Sequence, residues 1–264
     1  MKIVMVDQDG VLLDKSYRVA ADIKDFFRDL PAGLKIVPNS DTPIRRITNN
    51  FRIAAGLQAD IIIGEKGAVV YCNGETHCNA NVQGIPSFLD NLGKTFDRLD
   101  CDIVVGDSAT WIREGKRFTP NRRMLIIDGL RDQTVGFYLR TTNNDGVACL
   151  DDRWFNAGIA AVKTIPVPAG LEAKDFNAGY GIVIMNAIGI SKTDGYLFLR
   201  QKYPKDIFYM IGDGDMDVIG SPDVIHCAVA NASAGFKKNA KFVSGKEITA
   251  GLIDCLQWIV RQNA

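Results

Sequence analysis

Histidine is nearly absent from this chain: two residues in 264, His77 and His226. That leaves little basis for a Cys/His zinc site, and both histidines read as structural. The six cysteines, Cys72, Cys78, Cys101, Cys149, Cys227 and Cys255, are scattered with no C-x-x-C pair. They read as reduced thiols of a cytoplasmic protein rather than as a disulfide framework. No uninterrupted apolar run approaches a membrane span, and only a short apolar stretch precedes Asp7, too little for a signal-peptide core. Net charge is absent too, with 31 basic and 31 acidic residues. There is then no global field to draw the chain onto nucleic acid or an anionic membrane, although a locally charged site remains possible.

What is present is the composition of an ordinary globular protein, 47% hydrophobic and 23% charged, with length enough for a large core. KIVMV and LKIVP read as buried strands, separated by a helical spacing of Val19, Ile23, Phe26, Phe27 and Leu30. A helix is predicted over 43–57 with Pro43 at its start, then a strand in ADIIIG and a hairpin turning at Asn73-Gly74. This rhythm predicts an α/β fold: a Rossmann-like parallel sheet with helices on both faces. Between the two stretches of that rhythm, a helix over 82–99, short strands in TWIREG, RRMLIID and TVGFYLRTT, a helix over 152–163 and the strand GIVIMNAI suggest an inserted α+β domain. After Ser191 the alternation resumes with a helix over 193–203, the strand IFYMI, the apolar VIHCAVA and a final helix over 248–261. The predicted boundaries are a core of 1–82 and 189–264 and an inserted domain of 83–188.

Two of the predicted strands end in acid: KIVMV runs into Asp7 and Asp9, and YMIGDGDMD into Asp213, Asp215 and Asp217. Ligands of parallel α/β sheets sit at the carboxyl ends of the strands. If the two strands are neighbours, their carboxylates converge, and like charges about 4 Å apart repel by about 4 kcal/mol at an effective dielectric near 20. Such a cluster takes up protons or binds a cation, and a few hard oxygen ligands suit magnesium. Asp7 and Asp9 lean the same way on an extended backbone, so that one can attack while the other handles protons.

At this point the residues resemble a family. D-x-D-G-V at Asp7 to Val11 is similar to the first motif of the haloacid dehalogenase-like (HAD) phosphatases, and NSDTP, with Ser40, to the second. GISKTDGYLFL with Lys192 resembles the third motif, and GDGDMD the fourth. GEKGAVVY looks like the segment preceding the inserted cap in the Cof-type branch. The resemblance runs along the whole chain in order. It implies that Asp7 is the nucleophile, forming an aspartyl-phosphate, and that Asp9 protonates the leaving group and then activates water. It implies that Ser40 and Lys192 hold phosphoryl oxygens. Mg²⁺ would be held by Asp7, the Asp9 backbone carbonyl and Asp213, with Asp217 binding through water or orienting Lys192. The implied protein is a phosphatase of a small phosphorylated metabolite, with a sugar phosphate as first expectation. Its cap would cover the site and touch the organic part of the substrate. Met216 stands where the family usually has Asn, and Asp41-Thr42 replace the common Gly-Arg. The alternatives are a phosphomutase on the same scaffold and a non-catalytic phospho-ligand-binding or regulatory protein. Trp111, Arg113, Arg122, Arg123 and Arg140 of the inserted domain are further candidates for reading a polar substrate, or solvent-side strand residues.

Overall fold

A computed structural model of the chain describes residues 1–262, the side chains at 174 and 175 excepted. The chain divides into two compact units, Met1–Asn79 with Ile190–Ala264, and Ala80–Gly189.

The first unit begins with β1 (Lys2–Val6), α1 (Asp22–Arg28), β2 (Leu34–Pro38), α2 (Ile44–Asn49), β3 (Ile61–Gly64), β4 (Val69–Cys72) and β5 (Glu75–Cys78). In the second unit follow α3 (Ile85–Asp97), β6 (Cys101–Gly106), α4 (Ser108–Arg113), β7 (Arg123–Asp128), β8 (Val135–Thr142), β9 (Ala148–Cys149), α5 (Asp152–Val162), β10 (Leu171–Asn177) and β11 (Ile182–Ala187). The chain then returns to the first unit with α6 (Lys192–Lys202), β12 (Ile207–Gly212), β13 (Val224–Ala228), α7 (Ala234–Asn239), β14 (Ala240–Val243) and α8 (Ile248–Arg261).

The fold class is the predicted one, a parallel sheet flanked by helices. Its strand order is β14-β13-β12-β1-β2, and every pairing is parallel. Ile3, Val4, Met5 and Val6 are fully buried, as a central strand covered on both faces requires. Over α8 the buried residues Leu252, Cys255, Leu256 and Ile259 recur at intervals of three and four, which lays one apolar stripe on the core. β1 has β2 on one side and β12 on the other, so the strand order reverses beside β1. The carboxyl ends flanking that reversal form the crevice where ligands of open α/β sheets bind. β3 is not a full strand of this sheet: it pairs with β4 in a three-stranded antiparallel sheet and touches the end of β2 by a single bridge, Asn39 to Ile63.

The second unit has a six-stranded mixed sheet, β10-β11-β8-β7-β6 with β9 beside β8, in which only β6 and β7 run parallel. α3 and α5 pack on it, with Phe96 and Trp154 edge to face at 5.8 Å between centroids. Here the TWIREG expectation is corrected. Thr110 to Arg113 lie in α4, because the Asp107 side chain accepts the Thr110 N–H and caps a helix, and Gly106 leaves space for the Trp111 ring. The helix predicted over 43–57 also changes character, giving way after Asn49 to a π turn at Asn50–Ala54. The helical spacing over 17–30 yields only the short α1.

Candidate active site

The site is assembled by strand register. Val6 of β1 lies opposite Ile211 of β12 and Pro38 of β2, so the residues just beyond all three strands emerge at one level. The Asp7 N–H donates to the Ile211 carbonyl at 3.0 Å and the Asn39 N–H to the Val6 carbonyl at 2.8 Å. Asp7, Asn39-Ser40 and Asp213 are thereby brought to the same edge. The fourth contributor is Lys192, first residue of α6, which a capping box places. The Ser191 Oγ accepts from the Thr193 N–H at 3.2 Å, and the Ser191 N–H donates to Asp194 Oδ2 at 2.8 Å.

Lys192 Nζ donates to Asp7 Oδ1 at 2.6 Å and to Asp217 Oδ1 at 2.5 Å, with all three side chains buried. One ligand oxygen from each of Asp7, Asp213 and Asp217 lies within 4.8 Å of the others. Burial, then the Asp217 charge, push the Asp7 carboxyl well above its ordinary value, against the pull of Lys192. Burial works against the Lys192 ammonium, but Asp7 and Asp217 outweigh it and hold the group strongly protonated. Asp213 is pushed up to about 6 by burial and by Asp217. Asp217 is fully engaged: besides Lys192, its Oδ2 accepts the N–H groups of Asp213 and Gly214, each at 2.9 Å. It therefore orients Lys192 and pins the loop that carries Asp213.

Asp9 stands beside this group rather than in it. Burial first, then the charge of Asp41, raise its carboxyl to about 6. Asp41, one of the departures from the family pattern, thus acts electrostatically on Asp9. Ser40 is buried at the end of β2, and its Oγ accepts the Thr42 N–H at 3.3 Å. Gly10 must be glycine: φ is +79°, and a Cβ there would overlap the Asp213 carboxylate. Met216 is 63% exposed and offers no bond to the loop, whose amides Asp217 takes instead.

Sequence reasoning missed several supports. Asn231 Nδ2 donates to the Gly10 carbonyl at 2.9 Å and to Asp213 Oδ2 at 3.4 Å, while its Oδ1 accepts the Ile248 N–H at 2.9 Å. Ser233 Oγ donates to Asp215 Oδ1 at 2.5 Å, so this exposed acid braces the loop. His226, buried, accepts the Ile219 N–H at its Nε2 at 3.0 Å and stacks edge to face on Phe236. The sequence marks Asn231 and Ser233 only as two polar residues among small ones directly after the apolar VIHCAVA. In the second unit Arg122 is taken by Asp100 and Asp102, and Arg140 is buried and donates to the Tyr180 carbonyl.

No family model matches the sequence, and no curated protein matches it either. Solved structures do match over nearly the whole chain. A haloacid dehalogenase-like hydrolase from Bacteroides thetaiotaomicron superposes with a TM-score of 0.66 at 12% identity, covering 98% of this chain and 99% of that one. The fold is that of the HAD-like hydrolases. A phosphatase of the HAD superfamily from the same organism matches at a TM-score of 0.58 and 18% identity, covering 98% and 95%. A trehalose-6-phosphate phosphatase related protein matches at 0.56 and 15%, covering 97% and 96%. In this HAD-like fold the acidic cluster occupies the carboxyl ends of the neighbouring strands β1 and β12. No helix among the described residues is long and apolar enough to cross a membrane.

Proposed function

We propose that the protein is a Mg²⁺-dependent phosphatase that hydrolyses small phosphate monoesters through an aspartyl-phosphate on Asp7. The observation that carries this reading is the buried Asp7 carboxylate, bonded to Lys192 Nζ at 2.6 Å and grouped with Asp213 and Asp217. The donor set fits magnesium, because every candidate ligand is a hard oxygen and burial has raised the Asp7 and Asp213 carboxyls, a cost that a cation relieves. Asp7, Asp213 and the Asp9 carbonyl would hold the ion, with Asp217 bound through water or orienting Lys192. When bound, the ion neutralises charge on the transferring phosphoryl group.

The chain's own residues do the rest. An Asp7 oxygen attacks phosphorus as the bond to the leaving oxygen breaks, and Asp9 delivers a proton to that oxygen. Asp9 then takes a proton from water, which attacks the acyl phosphate, releases inorganic phosphate and regenerates Asp7. A carboxyl raised to about 6 exchanges protons near neutral pH, as both half-reactions need. Lys192 and Ser40 hold the phosphoryl oxygens, Lys192 supplying fixed positive charge where charge develops.

A sugar phosphate is the first substrate class to try, since one matching structure is a trehalose-6-phosphate phosphatase related protein. The test is phosphate release from p-nitrophenyl phosphate and a panel of sugar phosphates, with Mg²⁺ or chelator, for wild type and Asp7→Asn. Release that requires Mg²⁺ and falls at least about 10³-fold in the variant is expected. Undiminished release by the variant, or none from any ester by the folded wild type, would overturn the reading. Isomerised sugar phosphate with little free phosphate would identify a mutase.

A further inference from the structure

Three consecutive residues after β3 hold a left-handed backbone: Glu65 at φ +50°, Lys66 at +62° and Gly67 at +99°. Glycine enters that region freely. Residues with a Cβ do not, and such strain persists only where the surroundings over-determine it. Here the surroundings are close. A Cβ on Gly67 would lie 2.2 Å from the Ser191 carbonyl oxygen, so the turn abuts the start of α6. Asn79 Nδ2 donates to the Gly67 carbonyl at 2.9 Å, and the Ala68 N–H to the Glu65 carbonyl at 3.1 Å. The Lys66 side chain makes no hydrogen bond or ion pair among the described residues, so the position contributes its backbone.

The left-handed turn aims two successive N–H groups at the loop that carries Ser40. The Lys66 N–H donates to the Ser40 carbonyl at 3.0 Å, and the Glu65 N–H to the Thr42 carbonyl at 3.1 Å. The Ser40 N–H donates to the Ile63 carbonyl at 3.0 Å, at the end of β3 just before the turn. Thr42 in its turn donates its N–H to Ser40 Oγ at 3.3 Å. Ser40 is thus held at its N–H, at its carbonyl and at its hydroxyl oxygen. With Thr42 on the acceptor side of that hydroxyl, the O–H proton is left to be donated.

We propose that the Glu65-Lys66-Gly67 turn is a positioning element for Ser40, its left-handed backbone holding the Ser40 hydroxyl where it donates to a phosphoryl oxygen. The inference rests on the phosphatase reading and on the role given there to Ser40. The turn makes and breaks no bond of the substrate; it acts on affinity for the phosphoryl group.

The experiment measures the Ki of inorganic phosphate against p-nitrophenyl phosphate hydrolysis, together with Tm. The proteins are wild type, Lys66→Val, Lys66→Gly, Ser40→Ala and the double variant of Lys66→Val with Ser40→Ala. Valine is β-branched and resists a positive φ, whereas glycine accepts it. Lys66→Val should raise Ki about 10-fold, the size of one hydrogen bond to a charged group, and Lys66→Gly should keep the wild-type value. In the Ser40→Ala background Lys66→Val should change Ki by less than about 2-fold, because the group it misplaces is gone. Should Lys66→Val fail to fold, Lys66→Leu makes a milder demand on the same φ and is compared in the same way. A lowered Tm with unchanged Ki, or an equal rise in Ki with and without the Ser40 hydroxyl, overturns the proposal and leaves the turn a structural one. A Ki raised as much in Lys66→Gly as in Lys66→Val would assign the effect to the lost side chain and overturn it too. Wild type that releases phosphate from no ester would instead sink the phosphatase reading itself, and the two failures are distinguishable.

Discussion

Asp213→Asn probes the electrostatics of the acidic cluster without any substrate. The substitution keeps the side chain's shape and removes only its charge. Asp213 is raised from an ordinary 3.8 to about 6 by burial and by Asp217. The sign follows from linkage. A carboxyl whose folded pKa is raised leaves stability undiminished below about pH 4, where it is protonated in both states. Stability is lost as pH rises through about 6, where the folded state alone resists ionisation. A rise of roughly two units at about 1.36 kcal/mol each sets a ceiling near 3 kcal/mol. Asp213 is only partly buried, so solvent screening reduces this to about 1–2 kcal/mol. In chelator the variant should therefore exceed wild type only slightly at about pH 4.5 and by more at about pH 7.5, by about 2–8 °C in Tm for a chain of this size. Millimolar Mg²⁺ should narrow or invert that gap, because ligand binding stabilises wild type through its intact donor set. Thermal unfolding followed by circular dichroism reads all of these conditions. A gap that is the same at both pH values, or a variant no more stable than wild type at the higher one, would refute the reasoning.

Gly10→Ala should lower Tm and abolish phosphate release together. It forces a left-handed φ on a residue with a Cβ, at roughly 1–3 kcal/mol, and drives that Cβ into the Asp213 carboxylate. A variant with wild-type Tm and activity would contradict the close approach. His226→Gln addresses a second pH window. Burial lowers the His226 pKa, so its neutral form is preferred in the folded state and stability is lost as pH falls below about 6.5. Wild type should lose stability relative to the variant between about pH 7 and pH 5 in urea titrations; parallel curves would show that the buried imidazole does not titrate on unfolding.

The supports of the site were less legible than its reactive groups. Asn231 and Ser233 are ordinary polar residues in sequence, and their roles exist only as contacts across 221 or 18 positions of chain. The π turn at Asn50–Ala54 was invisible for a related reason: a helical spacing of apolar residues does not report one extra residue within a turn. TWIREG misled because its Trp, Ile and Thr favour strands, whereas the cap at Asp107 and the Trp111 ring against Gly106 decide for a helix.

By itself the sequence determined whatever depends on residues adjacent in the chain. Fully apolar runs must be central parallel strands, an acid directly after such a run must emerge at the strand's carboxyl end, and a helix must follow Ser191. Tertiary structure alone decided which strand ends meet. β1 lies between β12 and β2 with Val6 opposite Ile211, and a slip of one residue would turn Asp213 to the other face of the sheet. That register is set by packing between segments some 200 residues apart, for which no local pattern codes, and it converts separate acids into one cluster around Lys192.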